Sequence, residues 1–244
     1  MELEAQIDSQ KMNVDEYLYK IASSPSAGNI EKDIVKLVNF GTRHTLSDTV
    51  SNSRGIGAAR RSIKASFEQI SKDCGNCLEV SFHRSLAKAD NRRITKDTWI
   101  VNVLAVQKGT LYPNRYVLMS GDIDSRVSDE NNFTSDAPGA NDNASGMAGT
   151  IEAARVLSQY KFPVSIIFVG LSGEEQGLYG GKFLAETFKE KGYEIIGVLN
   201  NDMIGNIEGI DGVIENNSFR IFSEAISMNL TEQQRNAMRF YGGE

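Results

Sequence analysis

Acidic residues of this chain gather at four places: "GDID" (121–124), "NDN" (141–143), "LSGEEQG" (171–177) and "NND" (200–202). Carboxylates brought together this way cannot all stay ionised and unpaired, because like charges at short range raise each other's pKa. A cation resolves the conflict. Ligation by Asp122, Asp142, Glu175 and Asp202 accounts for all four clusters at once, with Asp142 able to bridge two ions through its two oxygens. Two ions about 3.5–4 Å apart polarise a carbonyl and lower the pKa of a shared water. Neighbouring side chains at a strand end diverge, so Glu175 can face metal while Glu174 reaches the water as general base. Taken singly, each acid has an ordinary explanation: Asp142 as a favourable charge at a helix N-terminus, Asp202 as an Asx turn after a strand. Four such coincidences in this order weigh against that explanation.

These residues need elements to position them. The first ~90 residues carry helical periodicity at "VDEYLYKIASS" (14–24), "NIEKDIVKLVNFG" (29–41) and "AARRSIKASFEQISKD" (58–73). Strand-like runs follow at 77–84, 98–107, 115–124, 164–170 and 194–205, the last three separated by helical patterns. Met147, Ile151, Ala154 and Leu157 mark one buried face of a helix whose start is capped by polar residues around Asn143 and Ser145. The expectation is an α/β domain with a mixed, mostly parallel twisted sheet flanked by helices. In such sheets ligands bind at the carboxyl ends of strands, where three of the acidic clusters fall. The polar loop 126–142 is long enough to border that site.

Composition narrows the function classes. With 244 residues and 40% hydrophobic content, the chain can bury one large core. The net charge of −6 gives no electrostatic footprint for nucleic acid. No stretch approaches the ~18 apolar residues of a membrane span, and "MELEAQIDSQ" lacks the regions of a signal peptide. Cys74 and Cys77 in "DCGNC" fit a small disulfide, a redox pair or two free thiols, but lack the further ligands of a zinc site. His44 and His83 are the only histidines, each better explained as structural or exposed than as a ligand. A serine hydrolase needs G-x-S-x-G and a later histidine, and a P-loop needs G-x-x-x-x-G-K-[ST]; "GLSGEE" and "QGLYGGKF" satisfy neither.

The motifs "APGANDNASG" (137–146), "FVGLSGEEQGLYGG" (168–181) and "NNDMIG" (200–205), with "SGDIDSR" (120–126) and "FGTRHT" (40–45) more weakly, resemble the co-catalytic zinc aminopeptidases of the MH clan. The resemblance implies Asp142 as the bridging ligand, Glu174 as general base, Glu175 and Asp202 as ligands of one zinc each, and Asp124 as the residue orienting the first ligand. It implies two Zn2+ ions and a peptide substrate cleaved at its amino end. Two departures stand out. Asp122 occupies the place of the family's first histidine ligand, which shifts the preference at that position toward Mn2+ or Mg2+. The family's last ligand is a histidine near the end of the catalytic domain, and no histidine follows residue 83. With the ending "FYGGE", this raises the expectation that the domain is C-terminally incomplete.

The resulting expectation is a single metallopeptidase-like catalytic domain over 1–244, its helical N-terminal part (about 1–75) packed on the α/β core. The alternatives are a catalytically silent relative that binds a peptide or protein, and a glutaminyl-cyclase-like acyl transferase. An exported location with the signal removed is expected, with the cytoplasm as the alternative.

Overall fold

The computed structural model describes residues 16–90, 92–209 and 211–215. "MELEAQIDSQ" and "FYGGE" lie outside the described residues. Two compact units divide the chain: Ser26–Asn206, and the residues up to Pro25 together with those from Ile207 onward. In the second unit, helix α1 spans Glu16–Ala22. A turn there pairs Glu208 with Ile214, and Gly209 N–H donates to Val213 O at 2.9 Å.

The larger unit opens with α2 (Ala27–Val38) and α3 (Gly55–Asp73). Ser26 caps α2 by accepting the Asn29 N–H at 3.3 Å, satisfying a donor that the first turn leaves free. Helix α3 turns Ile56, Ile63, Phe67 and Ile70 inward, at the spacing that keeps one stripe facing the core. It closes at Cys74, and the chain reverses through Gly75 and Asn76 in the left-handed region, with Cys74 disulfide-bonded to Cys77.

Strands β1 (Leu78–Ala87), β2 (Thr98–Gln107), β3 (Tyr112–Asp122), β4 (Val164–Leu171) and β5 (Glu194–Asn201) form one sheet in the order β1-β2-β4-β3-β5. β1 and β4 are each antiparallel to β2, and β3 is parallel to both β4 and β5. Four strands thus share a direction and β2 opposes them, which makes the sheet mixed and mostly parallel. Helix α4 spans Gly146–Leu157 and α5 spans Tyr179–Glu190.

Alternation along β4 splits the core between the two faces of the sheet. Ile166 and Phe168 join α2, α3 and α4 on one side, while Ile167 and Val169 meet Leu184 and Phe188 of α5 on the other. Phe168 is fully buried, so truncating it to alanine costs about 3–5 kcal/mol.

Parallel register brings the carboxyl ends of β4, β3 and β5 together. Asp122 lies opposite Leu171, and Gly121 lies opposite Asn201. The start of α4 is wedged against these ends. A Cβ on Gly121 would sit 2.6 Å from Gly146 C, and one on Gly146 would sit 2.2 Å from Asn201 O, so both positions require glycine.

Several boundaries differ from those read off the sequence. β1 continues to Ala87, and β3 starts at Tyr112 because Leu111 and Tyr112 donate to Pro163 O ahead of the strand. β5 stops at Asn201 rather than 205: Met203 takes a positive φ of 50°, and Ile204 and Gly205 give their N–H groups to Ser145 and Asn141. Ser145 therefore does not cap α4. Its hydroxyl donates to Asn141 O at 2.7 Å, and the Gly146 N–H is taken by Asn143 Oδ1 at 3.0 Å.

Candidate metal centre

Asp122 ends β3 and is buried, its Oδ2 accepting from Asn143 Nδ2 at 2.9 Å. Burial, and then the negative charge of Asp124, push its carboxyl up to about 8. Asn143 is the hub of this corner. Its Nδ2 also donates to Asn201 O at 2.9 Å, and its Oδ1 accepts from Gly146 and Met203 N–H. One amide thus joins the ends of β3 and β5 to the start of α4.

Asp124, also buried, serves the next segment. Its Oδ1 accepts the N–H of Gly173 at 2.9 Å and of Glu174 at 3.2 Å, and its Oδ2 accepts the N–H of Glu175 at 3.2 Å and the Thr45 hydroxyl at 2.8 Å. These hydrogen bonds tie Asp124 to the loop after β4 and to Thr45.

That loop carries the paired glutamates. Glu174 is half-buried, and burial followed by the charges of Asp124 and Glu175 pushes its carboxyl up to about 7. Glu175 is raised by burial and drawn back down by Arg126, whose Nε stands 2.5 Å from Glu175 Oε2. Asp202 follows β5 and is raised by burial and then by Asp142. Asp142 lies in the irregular turn 140–145 before α4 and is exposed, close enough for its charge to act on Glu174, Glu175 and Asp202. The acids found in the sequence therefore meet at one corner of the sheet, four of them with raised carboxyls.

Two buried cations underlie this corner that the sequence reading missed. Arg43 donates from Nε to Ile123 O at 2.8 Å and through its other nitrogens to Leu37 O, Pro138 O and Gly139 O. Burial pulls its pKa down to about 10, against the opposing pull of Asp124 and Asp142. Arg60 is likewise lowered to about 10 by burial, with Asp124 opposing. The sequence carried only a weak signal for the first, in "FGTRHT", and none for the second. His44 is fully buried with Nε2 3.0 Å from Glu130 O, and His83 contacts Thr187 Oγ1 at 2.9 Å, so neither histidine joins the acids.

A cleft of about 870 Å3 opens beside the cluster, between α5 and the outer part of β3 and β5. Asp122, Glu174 and Asp202 line its acidic end, and Leu118, Leu184, Phe188 and Ile195 line its walls. Carboxylates raised by burial and then by one another's charge fit a divalent cation, and the all-oxygen donors suit a hard ion better than a soft one. Their placement is only part of a coordination shell: among the described residues, no group of three or more His, Cys, Asp or Glu side chains stands where it could hold an ion. Glu175 is turned to Arg126 and Asp122 to Asn143.

Residues 102–243 match the profile of Peptidase family M28. A probable zinc metalloprotease of Pyrenophora teres f. teres is 38% identical over 231 residues, 94% of this chain and 50% of that protein. The chain spans about half the length of the curated relatives it matches. Among solved structures, LapB from Legionella pneumophila superposes with a TM-score of 0.62 at 20% identity, covering 82% of this chain and 49% of LapB. A glutaminyl cyclase from an Acidobacteriales bacterium gives 0.63 at 19% identity, covering 90% of this chain and 72% of that one. At such identities the likeness is one of fold.

Proposed function

The chain belongs to peptidase family M28, and from that premise we propose that it is a zinc-dependent exopeptidase, with aminopeptidase action its best-supported form. The observation that carries this reading is the shared register of β3, β4 and β5. It sets Asp122, Glu174, Glu175 and Asp202 around one corner, two of them with carboxyls raised to about 8 and about 7.

Asp122, Asp142, Glu175 and Asp202 would hold the metal, with Asp142 contributing to both ions if two are bound. Zinc there would polarise the scissile carbonyl and acidify a water. Glu174 is the general base. A carboxyl raised to about 7 accepts a proton and returns it to the leaving amine near neutral pH. Asp124 holds the main chain of the base in place through its three N–H contacts. The acidic end of the cleft attracts a cationic α-amino group, which favours an amino-terminal substrate.

A second reading is favoured by the pairing of Glu175 with Arg126 and by Asp122 in place of a histidine: a silent relative that binds peptides without cleaving them. Elemental analysis, together with turnover of aminoacyl chromogenic substrates, separates the two. Stoichiometric metal with zinc-dependent cleavage is expected. Peptide binding without metal or cleavage would overturn the enzyme reading, and ammonia release from N-terminal glutaminyl peptides would point to cyclase chemistry.

A further inference from the structure

Thr45, which donates to Asp124, also lines a second cavity, of about 970 Å3, between α3, the loop after α2 and the β1–β2 edge. Its charge is opposite to that of the acidic cleft. Arg54, Arg60, Arg61, Arg84 and Lys96 line it, against Asp48 and Asp97.

Both of those carboxylates are engaged. Asp97 pairs with Lys88, and Asp48 accepts the N–H groups of Val50 and Ser51. Arg54 is held by Asp136, and Arg61 donates to the carbonyls of Thr49, Val50 and Ser51. Among the described residues no ion pair joins Arg60, Arg84 or Lys96.

Arg60 is the informative one. It is 5% exposed, its Nε donates to Ser172 Oγ at 3.2 Å, and its Nη2 has no hydrogen-bond partner. A buried guanidinium nitrogen without an acceptor is costly, and native structures rarely leave one so. Arg84 stands close enough for its charge to disfavour that of Arg60.

The pleat explains why Arg84 faces this space. Arg84 pairs with Val101, and Leu86 pairs with Trp99, so Phe82 and Arg84 of β1 share a face with Trp99 and Val101 of β2. All four line the cavity, with the Arg84 guanidinium 5.3 Å from the centre of the Phe82 ring.

We propose that this cavity is an anion-binding site, in which a phosphate or carboxylate group lies between Arg60 and Arg84 and the apolar body of its bearer rests on Phe82 and Trp99. An oxyanion accepts from both planar forks at once, supplies the acceptor that Arg60 Nη2 lacks and relieves the repulsion between the two cations.

The only tryptophan of the chain, Trp99, lies in the lining and reports on the cavity. Its emission is followed while inorganic phosphate replaces chloride at fixed ionic strength. A saturable change is expected, and Arg84→Gln, at an exposed strand position, should move the midpoint at least about tenfold higher, as loss of a charge-assisted pair does. The circular dichroism spectrum of that variant should match the parent. Arg60→Lys, which keeps the charge but loses the fork, should also weaken the response. A response that chloride reproduces, no saturable response, or an unchanged midpoint in Arg84→Gln overturns the proposal. Phenyl phosphate and benzoate then identify the preferred headgroup, and a midpoint tighter than that of inorganic phosphate supports the apolar contact.

Discussion

The Asp124 carboxylate accepts the main-chain N–H of Glu174 at 3.2 Å, so the position of the proposed base is set by a residue fifty positions earlier in the chain. The same carboxylate takes the N–H groups of Gly173 and Glu175, and among the described residues no other side chain accepts from these three N–H groups. Asp124→Asn would point an amide donor at some of those donors. The expected loss is about 3 kcal/mol, from buried N–H groups left without acceptors. Urea denaturation checks it, and a loss below about 1 kcal/mol would mean that the loop holds itself.

Glu174→Gln keeps the size of the side chain and removes its capacity to carry a proton. Turnover is expected to fall by roughly 10²–10⁴-fold, as for loss of a general base, with bound metal unchanged. Steady-state kinetics beside elemental analysis tests this; parallel loss of metal would make Glu174 a ligand instead.

Replacing Asp122 by histidine offers zinc a borderline-soft nitrogen in place of a hard, anionic oxygen. The affinity for zinc should rise roughly tenfold and the preference for manganese should fall. Competition titration with a chromogenic chelator measures both. An unchanged zinc affinity would place residue 122 outside the coordination shell.

Chelator-treated protein should become less stable as pH rises. Asp122 ionises near about 3.9 in an unfolded chain, and its folded value is pushed up to about 8. The folded state therefore keeps a proton that the unfolded state releases. The stabilisation is complete below about pH 4 and is lost as the pH climbs through about 8, with Glu174 adding the same sign up to about 7. Melting curves at pH 5, 6.5 and 8 should show a falling Tm, flattened in Asp122→Asn. A Tm decline equally steep in that variant would move the cause elsewhere.

Local periodicity carried much of this fold. The three- and four-residue spacing of Met147, Ile151 and Ala154 anticipates α4, and the apolar runs of β2 and β4 are long and β-branched enough to be read as buried strands. Strand order and direction were less legible. Nothing local to "TWIVNVLAVQ" says that β2 opposes its neighbours, because pairing direction is a property of the partner chain segments. The acids could be found because carboxylates at strand ends are conspicuous. Arg60 beneath them could not, since it lies in a helix where an arginine is most often solvated, and its burial follows from what packs above it. The pairing of Arg126 with Glu175 was hidden for the same reason, spanning 49 positions of sequence.

Arg43 bonds four carbonyls, those of Leu37, Ile123, Pro138 and Gly139. Only the first of these precedes it. On a chain still being synthesised, that guanidinium is made about a hundred residues before its last acceptors emerge, and burying it earlier would strand a charge. The segment around residues 40–48 is therefore expected to reach its final packing only after residue 139 has been made. Chains arrested before that point are expected to be cut there by protease, and chains arrested well beyond it to be protected. A single side chain in this way makes a segment that is synthesised early wait for one that is synthesised late.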